Sequence, residues 1–373
     1  MKALGIILAG GNSRKMHELT DNRAVAAMPI AGSYRSIDFA LSNMSASHIQ
    51  NVAVIVQYNS VSLSRHLSSS KWWDFGRKQG GLILITPTTT PTRTDWYRGT
   101  ADSLYQNLWF LKESHEPYVV ITSGDCIYKL DYNKVINYHV EKNADITVVC
   151  KSVDQDEDLT RFGHVSIGDD GRILDFVEKP VETEDKNISC GIYVLRRRLL
   201  IELLEQAAAE DRYDFVNDII VRYLKHKRVF AYRHEYFWSN IATKESYYKT
   251  NMQFLDRPTR LYFFDEYPEI KSRADDLPPA KYNPGSRVKN SLVSGGCIIN
   301  GTVENSLLFK NVFVGNNATI RNSIILDDVY IGDGAVIDNC IVDGHGTIKV
   351  GSSHIGSPSD IKIVIEKESR YTL

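Results

Sequence analysis

A glycine-rich turn near the N-terminus has the residue types that most suggest chemistry. Gly10 and Gly11 follow the apolar run of residues 4–8, in the sequence Leu-Ala-Gly-Gly-Asn-Ser-Arg-Lys that ends at Lys15. A strand that ends in such a turn leaves backbone N–H groups directed at one place, where they can hold a phosphate. The turn therefore predicts phosphate binding. The alternative is a purely structural turn, since turns use glycine for its positive φ.

Composition limits the class of partner. The chain has 373 residues, with 44 Lys and Arg, 46 Asp and Glu, and a formal net charge of -2. This balance argues against nucleic acid and points to small ligands or other proteins. No stretch approaches the roughly 18 apolar residues of a membrane span, so we predict a cytoplasmic protein without membrane contact.

The cysteines indicate a reducing compartment. They are odd in number, scattered and without a C-x-x-C pair: Cys126, Cys150, Cys190, Cys297 and Cys340. This distribution predicts buried thiols in the cytoplasm rather than disulfides or a zinc site.

The elements that must position the turn alternate between strand-like and helix-like segments. Residues 52–56, 118–122 and 145–149 are strand-like, whereas residues 101–112 and 198–209 are helix-like. This alternation predicts a Rossmann-like α/β sheet flanked by helices. Ligands of such sheets bind beyond the carboxyl ends of the strands, so we expect the chemistry in the loops at residues 10–15 and 123–125.

The C-terminal part differs in its proline content and in the spacing of its aliphatic residues. Residues 257–285 contain five prolines and predict an extended connection. After it, aliphatic residues recur about every six positions, which is typical of a parallel β-helix; a β-sandwich, the alternative, would alternate with period two. The predicted domains are therefore 1–256, 257–285 (linker) and 286–373. The predicted aliphatic ladder is Leu292, Ile298, Val303, Leu308, Val314, Ile320, Leu326, Ile331, Ile337 and Val342.

Several motifs, in this order, resemble the glucose-1-phosphate adenylyltransferase (ADP-glucose pyrophosphorylase) family of bacterial glycogen synthesis. They are SYRSIDFALSN (33–43), QYNSVSLSRHL (57–67), WYRGTADSLYQN (96–107), SGDCIYKLDY (123–132), RFGHVSI (161–167), FVEKP (176–180) and SCGIYV (189–194). The resemblance implies a GT-A-like nucleotidyltransferase domain followed by a left-handed β-helix. It also implies a reaction in which ATP and glucose 1-phosphate give ADP-glucose and pyrophosphate.

The chain departs from the family pattern where the triphosphate would bind. The family has G-G-x-G-x-R in the first loop and a lysine in a later K-P-x-x-P segment. Here Ser13 replaces the third glycine, Lys15 stands at the arginine position and Val25 stands at the lysine position. Lysine cannot reproduce the bidentate fork of arginine, and valine has no charge. We therefore expect little standalone activity, because cations that act in the transition state are worth roughly a hundredfold to a thousandfold each.

The metal position is also altered. By the resemblance, Mg²⁺ is held by the Asp of a G-D-H motif and by a second Asp in W-x-D-V-G-T. Asp125 keeps the first carboxylate, whereas Asn240 stands at the second position. An amide is a poorer Mg²⁺ ligand than a carboxylate, so we expect Mg²⁺ in the assembled enzyme and weak or absent binding in this chain.

The half of the site that would bind the sugar phosphate matches the family pattern. By the resemblance, Glu178 contacts sugar hydroxyls, Lys179 contacts the phosphate and Ser189 orients the sugar, while Tyr97 and Gly99 belong to the segment that lines the cleft. For Glu178 and Lys179, the alternative is an ordinary surface ion pair.

Together these features resemble the noncatalytic or weakly catalytic regulatory subunit of the GlgD type. That resemblance implies a hetero-oligomer with a catalytic subunit, expected to be a tetramer, that binds a sugar phosphate or nucleotide sugar. The alternative is a self-sufficient adenylyltransferase that uses Lys15 and Asp125; a guanylyl- or uridylyltransferase fits the motifs less well. Arg35, Arg65 and His66 are candidates for contacts with allosteric effectors.

Overall fold

The computed structural model describes residues 2–11, 14–76, 80–88, 96–153, 159–181 and 186–366. The chain divides into two compact units, the first made of Met1–Gly11 and Phe39–Trp238 and the second of Asn12–Asp38 and Ser239–Leu373. The segment Asn12–Asp38 thus belongs to the same unit as the C-terminal part. The domain boundaries near residues 256 and 285 stay predictions.

A nine-stranded mixed sheet forms the centre of the first unit. Its strand order is β10-β9-β11-β6-β1-β4-β5, with β8 paired to both β11 and β12. The pairs β6–β1, β1–β4 and β4–β5 are parallel, and β11 runs antiparallel to β6 and β8. With numbers that follow the whole chain, the strands of this sheet are β1 Ala3–Leu8, β4 Asn51–Ile55, β5 Gly81–Ile85, β6 Tyr118–Ser123, β8 Ile146–Ser152, β9 Gly163–Ile167, β10 Ile173–Glu178, β11 Asn187–Arg196 and β12 Val229–Arg233. The short strand β7 Cys126–Tyr128 follows β6 and lies outside this sheet.

Three of the helices, α3, α4 and α6, share an apolar core with the sheet, as the predicted α/β class requires. The α-helices are α1 Ser36–Ala46, which begins in the second unit, α2 Ser60–His66, α3 Thr100–Gln106, α4 Leu108–Glu113, α5 Tyr132–Glu141 and α6 Arg197–Ala209. Short 3-10 helices span Ser70–Trp73 and Leu159–Arg161, and a π-helix spans Val216–Val221.

The predicted helix over residues 101–112 is broken at Asn107. The Asn107 side-chain amide donates hydrogen bonds to the Ser103 carbonyl (2.8 Å) and to the Tyr97 hydroxyl (3.0 Å). An asparagine that bonds a carbonyl of the preceding turn competes with the backbone hydrogen bonds of the helix. The segment therefore forms two helices, α3 and α4, instead of one.

The second unit contains a parallel β-helix, as predicted. Three five-stranded parallel sheets stack with the orders β14-β17-β20-β23-β26, β15-β18-β21-β24-β27 and β16-β19-β22-β25-β28, an arrangement typical of the left-handed β-helix of hexapeptide proteins. Successive strands therefore pair with strands of the next coil rather than with each other, which rules out the β-sandwich alternative. The strands are β14 Lys281–Tyr282, β15 Arg287–Lys289, β16 Leu292–Val293, β17 Ile298–Ile299, β18 Thr302–Glu304, β19 Leu307–Leu308, β20 Phe313–Val314, β21 Thr319–Arg321, β22 Ile324–Ile325, β23 Tyr330–Ile331, β24 Val336–Asp338, β25 Cys340–Val342, β26 Thr347–Ile348, β27 Ser353–Ile355 and β28 Lys362–Val364.

Two members of the predicted aliphatic ladder are wrong, and a third, Leu326, is buried but is not part of the apolar core that contains its neighbour Ile325. Leu292 and Ile298 lie outside the apolar core of the coils, whereas their neighbours Val293 and Ile299 pack against it or into it. Adjacent residues of a strand point to opposite sides, so an error of one position exchanges inside and outside. The other seven positions, from Val303 to Val342, belong to the core.

Asparagines in the left-handed conformation turn the chain at one corner of the coils. Asn290, Asn305, Asn322 and Asn339 have φ values of 44°, 45°, 44° and 51°. Asparagine tolerates this conformation better than other residues with a side chain, apart from aspartate. Their side chains also connect coils, because the Asn290 amide donates to Asn305 Oδ1 at 2.7 Å.

The N-terminal segment of the second unit contacts the β-helix through ion pairs. Arg23 contacts Asp343 at 2.8 Å and Arg35 contacts Asp327 at 3.0 Å. This segment contains the strands β2 Pro29–Ile30 and β3 Tyr34–Arg35 and 3-10 helices at Arg14–Thr20 and Val25–Ala27. After β13 Trp238–Asn240, the unit continues with α7 Lys244–Gln253, α8 Arg257–Arg260 and a π-helix at Leu261–Asp265.

The predicted extended connection is therefore wrong over residues 257–265, which are helical. Pro258 lies in the first turn of α8, where a missing N–H costs nothing. Strand structure then resumes at β14. No helix in the described ranges has both the length and the apolar character that crossing a membrane requires.

Candidate functional site

A pocket of about 340 Å³ opens at the carboxyl ends of the central parallel strands in the first unit. Backbone hydrogen bonds hold these ends together: Ala9 N–H donates to the Ile55 carbonyl at 2.8 Å and Gly124 N–H donates to the Leu8 carbonyl at 2.9 Å. The pocket borders the loops at residues 10–15 and 123–125, where we expected a ligand to bind. Its lining residues are Leu8, Gly10, Gly11, Ile55, Gln57, Tyr97, Gly99, Thr100, Ser103, Ser123, Gly191, Tyr193, Phe215 and Val216.

Glycine at positions 10 and 11 leaves space beside the pocket and is not required by the backbone conformation of the turn. Neither Gly10 nor Gly11 is among the residues with positive φ, so the conformational reason for glycine does not apply to them. A Cβ at Gly11 would project into open space, and one at Gly10 would lie 3.5 Å from the Gln57 backbone nitrogen. The absence of side chains here keeps one wall of the pocket open.

Two chain segments meet tightly at the opposite wall. Tyr213 O accepts hydrogen bonds from the N–H groups of Ala101 (2.7 Å) and Asp102 (3.3 Å), and Thr100 Oγ1 accepts from Phe215 N–H (2.9 Å). A Cβ at Gly99 would lie 2.3 Å from the same carbonyl oxygen of Tyr213. Gly99 is therefore required for this close approach.

The pocket is mainly apolar and carries a few uncharged polar groups. Of the described residues that line it, none is Asp, Glu, Lys, Arg or His. Gln57 Oε1 accepts a hydrogen bond from Tyr97 N–H at 2.7 Å, which fixes the amide at the wall. Apolar walls with a few fixed polar groups are typical of small-molecule sites.

Asp125, the predicted metal ligand, follows β6. Its Oδ1 accepts hydrogen bonds from the Ser123 hydroxyl (2.5 Å) and from Cys126 Sγ (3.6 Å). Among the described residues, no group of three or more His, Cys, Asp or Glu side chains could hold a metal ion. A single carboxylate that is already hydrogen-bonded does not make a Mg²⁺ site in the described part of the chain.

Of the predicted sugar-phosphate residues, Glu178 ends β10, Lys179 follows it directly and Ser189 lies on β11. Lys179 Nζ contacts Glu178 Oε1 at 3.2 Å; the lysine side chain is 65% exposed and the glutamate 16%. Burial raises the pKa of Glu178, and Lys179 opposes this effect. Buried Ser189 Oγ lies 3.3 Å from the hydroxyl of Tyr193, which lines the pocket. The structure thus connects Ser189 to the pocket through Tyr193.

The pocket residues that the sequence analysis missed come from separate segments. Gln57, Tyr193 and Phe215 line the pocket, yet Gln57 follows β4, Tyr193 belongs to β11 and Phe215 precedes the π-helix. No local spacing relates the three. Gln57 and Tyr193 belong to motifs that resemble the family, and these motifs were the one indication in the sequence that the two residues belong to the site.

The positions that the family pattern gives to the triphosphate cations and to the second metal ligand lie in the second unit. Lys15 is exposed, whereas Val25 is only 4% exposed and lies in a 3-10 helix with buried Ala26 and Ala27. Asn240 Oδ1 accepts a hydrogen bond from Ala242 N–H at 3.0 Å. Ser13 lies outside the described residues.

The residues predicted to contact allosteric effectors lie in different units. Arg35 is engaged in the second unit, where it also donates to the Ala27 carbonyl at 3.1 Å. Arg65 and His66 end α2 in the first unit, and the His66 ring meets Trp73 edge-on at 5.4 Å. Their role in effector binding stays a prediction.

Comparison with known proteins decides the family. The nucleotidyl transferase family model matches residues 4–257, and a GlmU-like C-terminal hexapeptide model matches residues 278–361. The chain belongs to the glucose-1-phosphate adenylyltransferase family. It is 37% identical to the glucose-1-phosphate adenylyltransferase of Geobacillus stearothermophilus over 320 residues, which are 85% of this chain and 82% of that protein. The corresponding enzymes of Clostridium novyi and Thermosipho melanesiensis are 38% and 39% identical over 84% of this chain and over 83% and 76% of their own lengths.

Membership of the family agrees with the fold. A mixed α/β nucleotidyltransferase domain precedes the parallel β-helix, and sugar phosphates and nucleotides are the substrates that the family implies. All five cysteines are free and buried, as predicted.

Proposed function

We propose that this chain is a noncatalytic or weakly catalytic subunit that regulates a catalytic glucose-1-phosphate adenylyltransferase in the cytoplasm. Val25 supports the proposal most directly. At the position where the family resemblance implies a lysine, the chain has a buried valine in an apolar segment. A buried apolar side chain cannot supply the charge that a triphosphate needs in the transition state.

The pocket supports the same conclusion. It has no charged side chain among its described lining residues, so it offers no counter-charge for ATP. Glu178, Lys179 and Ser189 retain the types that the family resemblance assigns to glucose 1-phosphate. We therefore propose that the chain binds a sugar phosphate or nucleotide sugar but does not activate ATP.

The experiment measures ADP-glucose formation by the isolated chain, by the catalytic partner and by both together. With saturating ATP, Mg²⁺ and glucose 1-phosphate, we expect little or no product from the isolated chain, and a higher rate or substrate affinity for the mixture than for the partner alone. Thermal shifts serve as the binding control, because glucose 1-phosphate or ADP-glucose should raise the melting temperature more than ATP does.

One result would replace the regulatory proposal with the alternative. If the isolated chain turns over at roughly 1 to 1,000 per second, as ordinary enzymes do, then Lys15 and Asp125 suffice for catalysis. Stabilisation by ATP equal to that by glucose 1-phosphate would contradict the proposed loss of the triphosphate site.

A further inference from the structure

Glycine at position 163 is required by space and not by backbone conformation. Gly163 begins β9 and is buried. It is not among the residues with positive φ, so the conformational reason for glycine does not apply to it. A Cβ at this position, however, would overlap the Phe176 ring and lie 2.7 Å from Glu178 Oε2. Atoms of two side chains therefore occupy the space that a side chain at residue 163 would need.

The pairing of β9 with β10 brings these groups together. In this antiparallel pair Gly163 is the partner of Glu178, and Val165 is the partner of Phe176. Residues two apart on a strand point to the same face, so the side chains of Phe176 and Glu178 both lie against Gly163. The Phe176 ring belongs to the apolar core of the sheet. The Glu178 carboxylate lies at the edge of that core, with a side chain that is 16% exposed.

The space at Gly163 keeps the Glu178 carboxylate in the strand pair and largely out of solvent. An ionised carboxylate loses hydration when it is buried, so glutamate is ordinarily exposed. Here burial raises the pKa of Glu178, and Lys179 opposes the effect. Packing of the Phe176 ring alone requires no carboxylate at this place. A fixed position for the carboxylate is therefore a separate consequence of glycine at residue 163.

The residue after Glu178 has an unusual backbone conformation. Lys179 has a φ of 49°, in the left-handed region that favours glycine, and its N–H donates to the Phe162 carbonyl at 3.1 Å. Adjacent residues of a regular strand point to opposite faces, yet Lys179 Nζ lies 3.2 Å from Glu178 Oε1. The left-handed turn ends the alternation, so the ammonium and the carboxylate meet. Residues in sparsely populated backbone conformations are concentrated at binding and active sites.

A fixed carboxylate beside an exposed ammonium suits a sugar phosphate. The carboxylate accepts hydrogen bonds from hydroxyl groups, and the ammonium is a point charge for a phosphate. Such contacts are selective when the protein holds the groups in place before the ligand binds. The carboxylate needs this restraint more, because a hydroxyl group gives directional hydrogen bonds.

We propose that Gly163 is a positioning residue for sugar binding, because its missing side chain provides the space that holds the Glu178 carboxylate ready for sugar hydroxyl groups. Gly163 acts through Glu178. The inference rests on the proposed function, since it takes Glu178 as a contact of a sugar phosphate or nucleotide sugar. It adds a residue on β9 to a site so far described from β10 and β11.

The first test measures binding of ADP-glucose and of glucose 1-phosphate by titration calorimetry. Gly163→Ala alone would also displace the Phe176 ring and lower the stability, so the informative variant is Gly163→Ala/Phe176→Leu, in which the smaller leucine removes the overlap with the ring. We expect this variant to bind both ligands about tenfold to a hundredfold more weakly than Phe176→Leu does, because hydrogen bonds to a charged group are lost.

The change Gly168→Ala is the matched control. Gly168 directly follows β9, and a Cβ there would lie 3.3 Å from Oδ1 of Asp170, which is the end of an exposed side chain. The substitution is the same, and it leaves Glu178 in place. We expect Gly168→Ala to bind both ligands as the wild type does.

A second measurement needs no ligand. NMR of carbon-labelled glutamate follows the titration of the Glu178 carboxyl, which is assigned by comparison with Glu178→Gln. In Gly163→Ala/Phe176→Leu the carboxyl is displaced towards water, so its raised pKa should fall towards the usual value for glutamate. Phe176→Leu alone should leave this pKa close to that of the wild type. A purely structural role for Gly163 would not produce this difference.

Two results would overturn the inference while the proposed function stands. The first is equal binding of both ligands by Gly163→Ala/Phe176→Leu and by Phe176→Leu, which would assign the glycine to packing of the ring alone. The second is a Glu178→Gln variant that binds both ligands as the wild type does, since Glu178 would then contact no ligand. A wild type that binds neither ligand would instead refute the proposed binding and this inference with it.

Discussion

Glu178, a predicted sugar-binding residue, also affects the stability of the protein. Burial raises the pKa of this carboxyl, and Lys179 only partly opposes the effect. The folded protein therefore holds the Glu178 proton to a higher pH than the unfolded chain does. By linkage, the free energy of unfolding falls as pH rises through the pKa of Glu178 in the folded protein.

The change Glu178→Gln should consequently stabilise the protein more at about pH 7.5 than near pH 4, where an unperturbed glutamate with a pKa of about 4.3 is largely protonated. The measurement is the melting temperature of variant and wild type at both pH values. Glu113→Gln, at an exposed position of α4, is the matched control and should show a small difference at both. A gain for Glu178→Gln that is equal at both pH values, or larger at acid pH, would contradict this assignment.

At the scale of elements, the coils of the β-helix depend on residues at their corners as well as on their aliphatic core. Asn305 adopts φ 45°, accepts a hydrogen bond from Asn290 and lies 3.5 Å from Asn322 Oδ1 through its amide nitrogen. A left-handed residue with a Cβ carries a conformational penalty of roughly 1–2 kcal/mol, which glycine avoids.

We therefore expect Asn305→Ala to destabilise the protein by about 1–3 kcal/mol in urea unfolding, and Asn305→Gly to destabilise it less, because glycine removes the strain although it also loses the side-chain bonds. Asn316→Ala is the control: Asn316 also bonds a neighbouring coil, through Asp333, but it does not have a positive φ. Equal losses for Asn305→Ala and Asn305→Gly would show that the left-handed corner contributes nothing.

At the scale of the whole molecule, the regulatory proposal requires that this chain bind one conformation of the catalytic partner better than another, since only differential binding shifts an equilibrium. Truncation after Asp256 would be a poor test. The segment Asn12–Asp38 belongs to the same compact unit as the β-helix, so truncation would remove the partners of Arg23 and Arg35.

A point change tests the mixed oligomer without this loss. In the assembly of both subunits, Asp125→Ala in this chain should leave the gain in ADP-glucose synthesis largely intact, because the regulatory proposal places the chemistry in the partner. The matched control is the corresponding carboxylate of the catalytic subunit, whose replacement should abolish synthesis. If Asp125→Ala in this chain removes the gain while the oligomer persists, the activity belongs to this chain.

The order of the residues was enough to predict the two kinds of architecture and the departures from the family pattern. Alternating strands and helices and the six-residue aliphatic repeat are local periodicities, so the residues alone predict them. Lys15, Val25 and Asn240 could likewise be recognised from their places within motifs.

The folded structure was needed to show which residues contact each other. It distinguished Ile299 from Ile298 as the inward residue, although the two are adjacent and chemically identical. It brought Gln57, Tyr193 and Phe215 into one uncharged pocket and placed the segment Asn12–Asp38 with the β-helix. These outcomes depend on contacts between residues far apart in the chain, which leave no spacing in the sequence, whereas local periodicity records only how each segment folds against its own core.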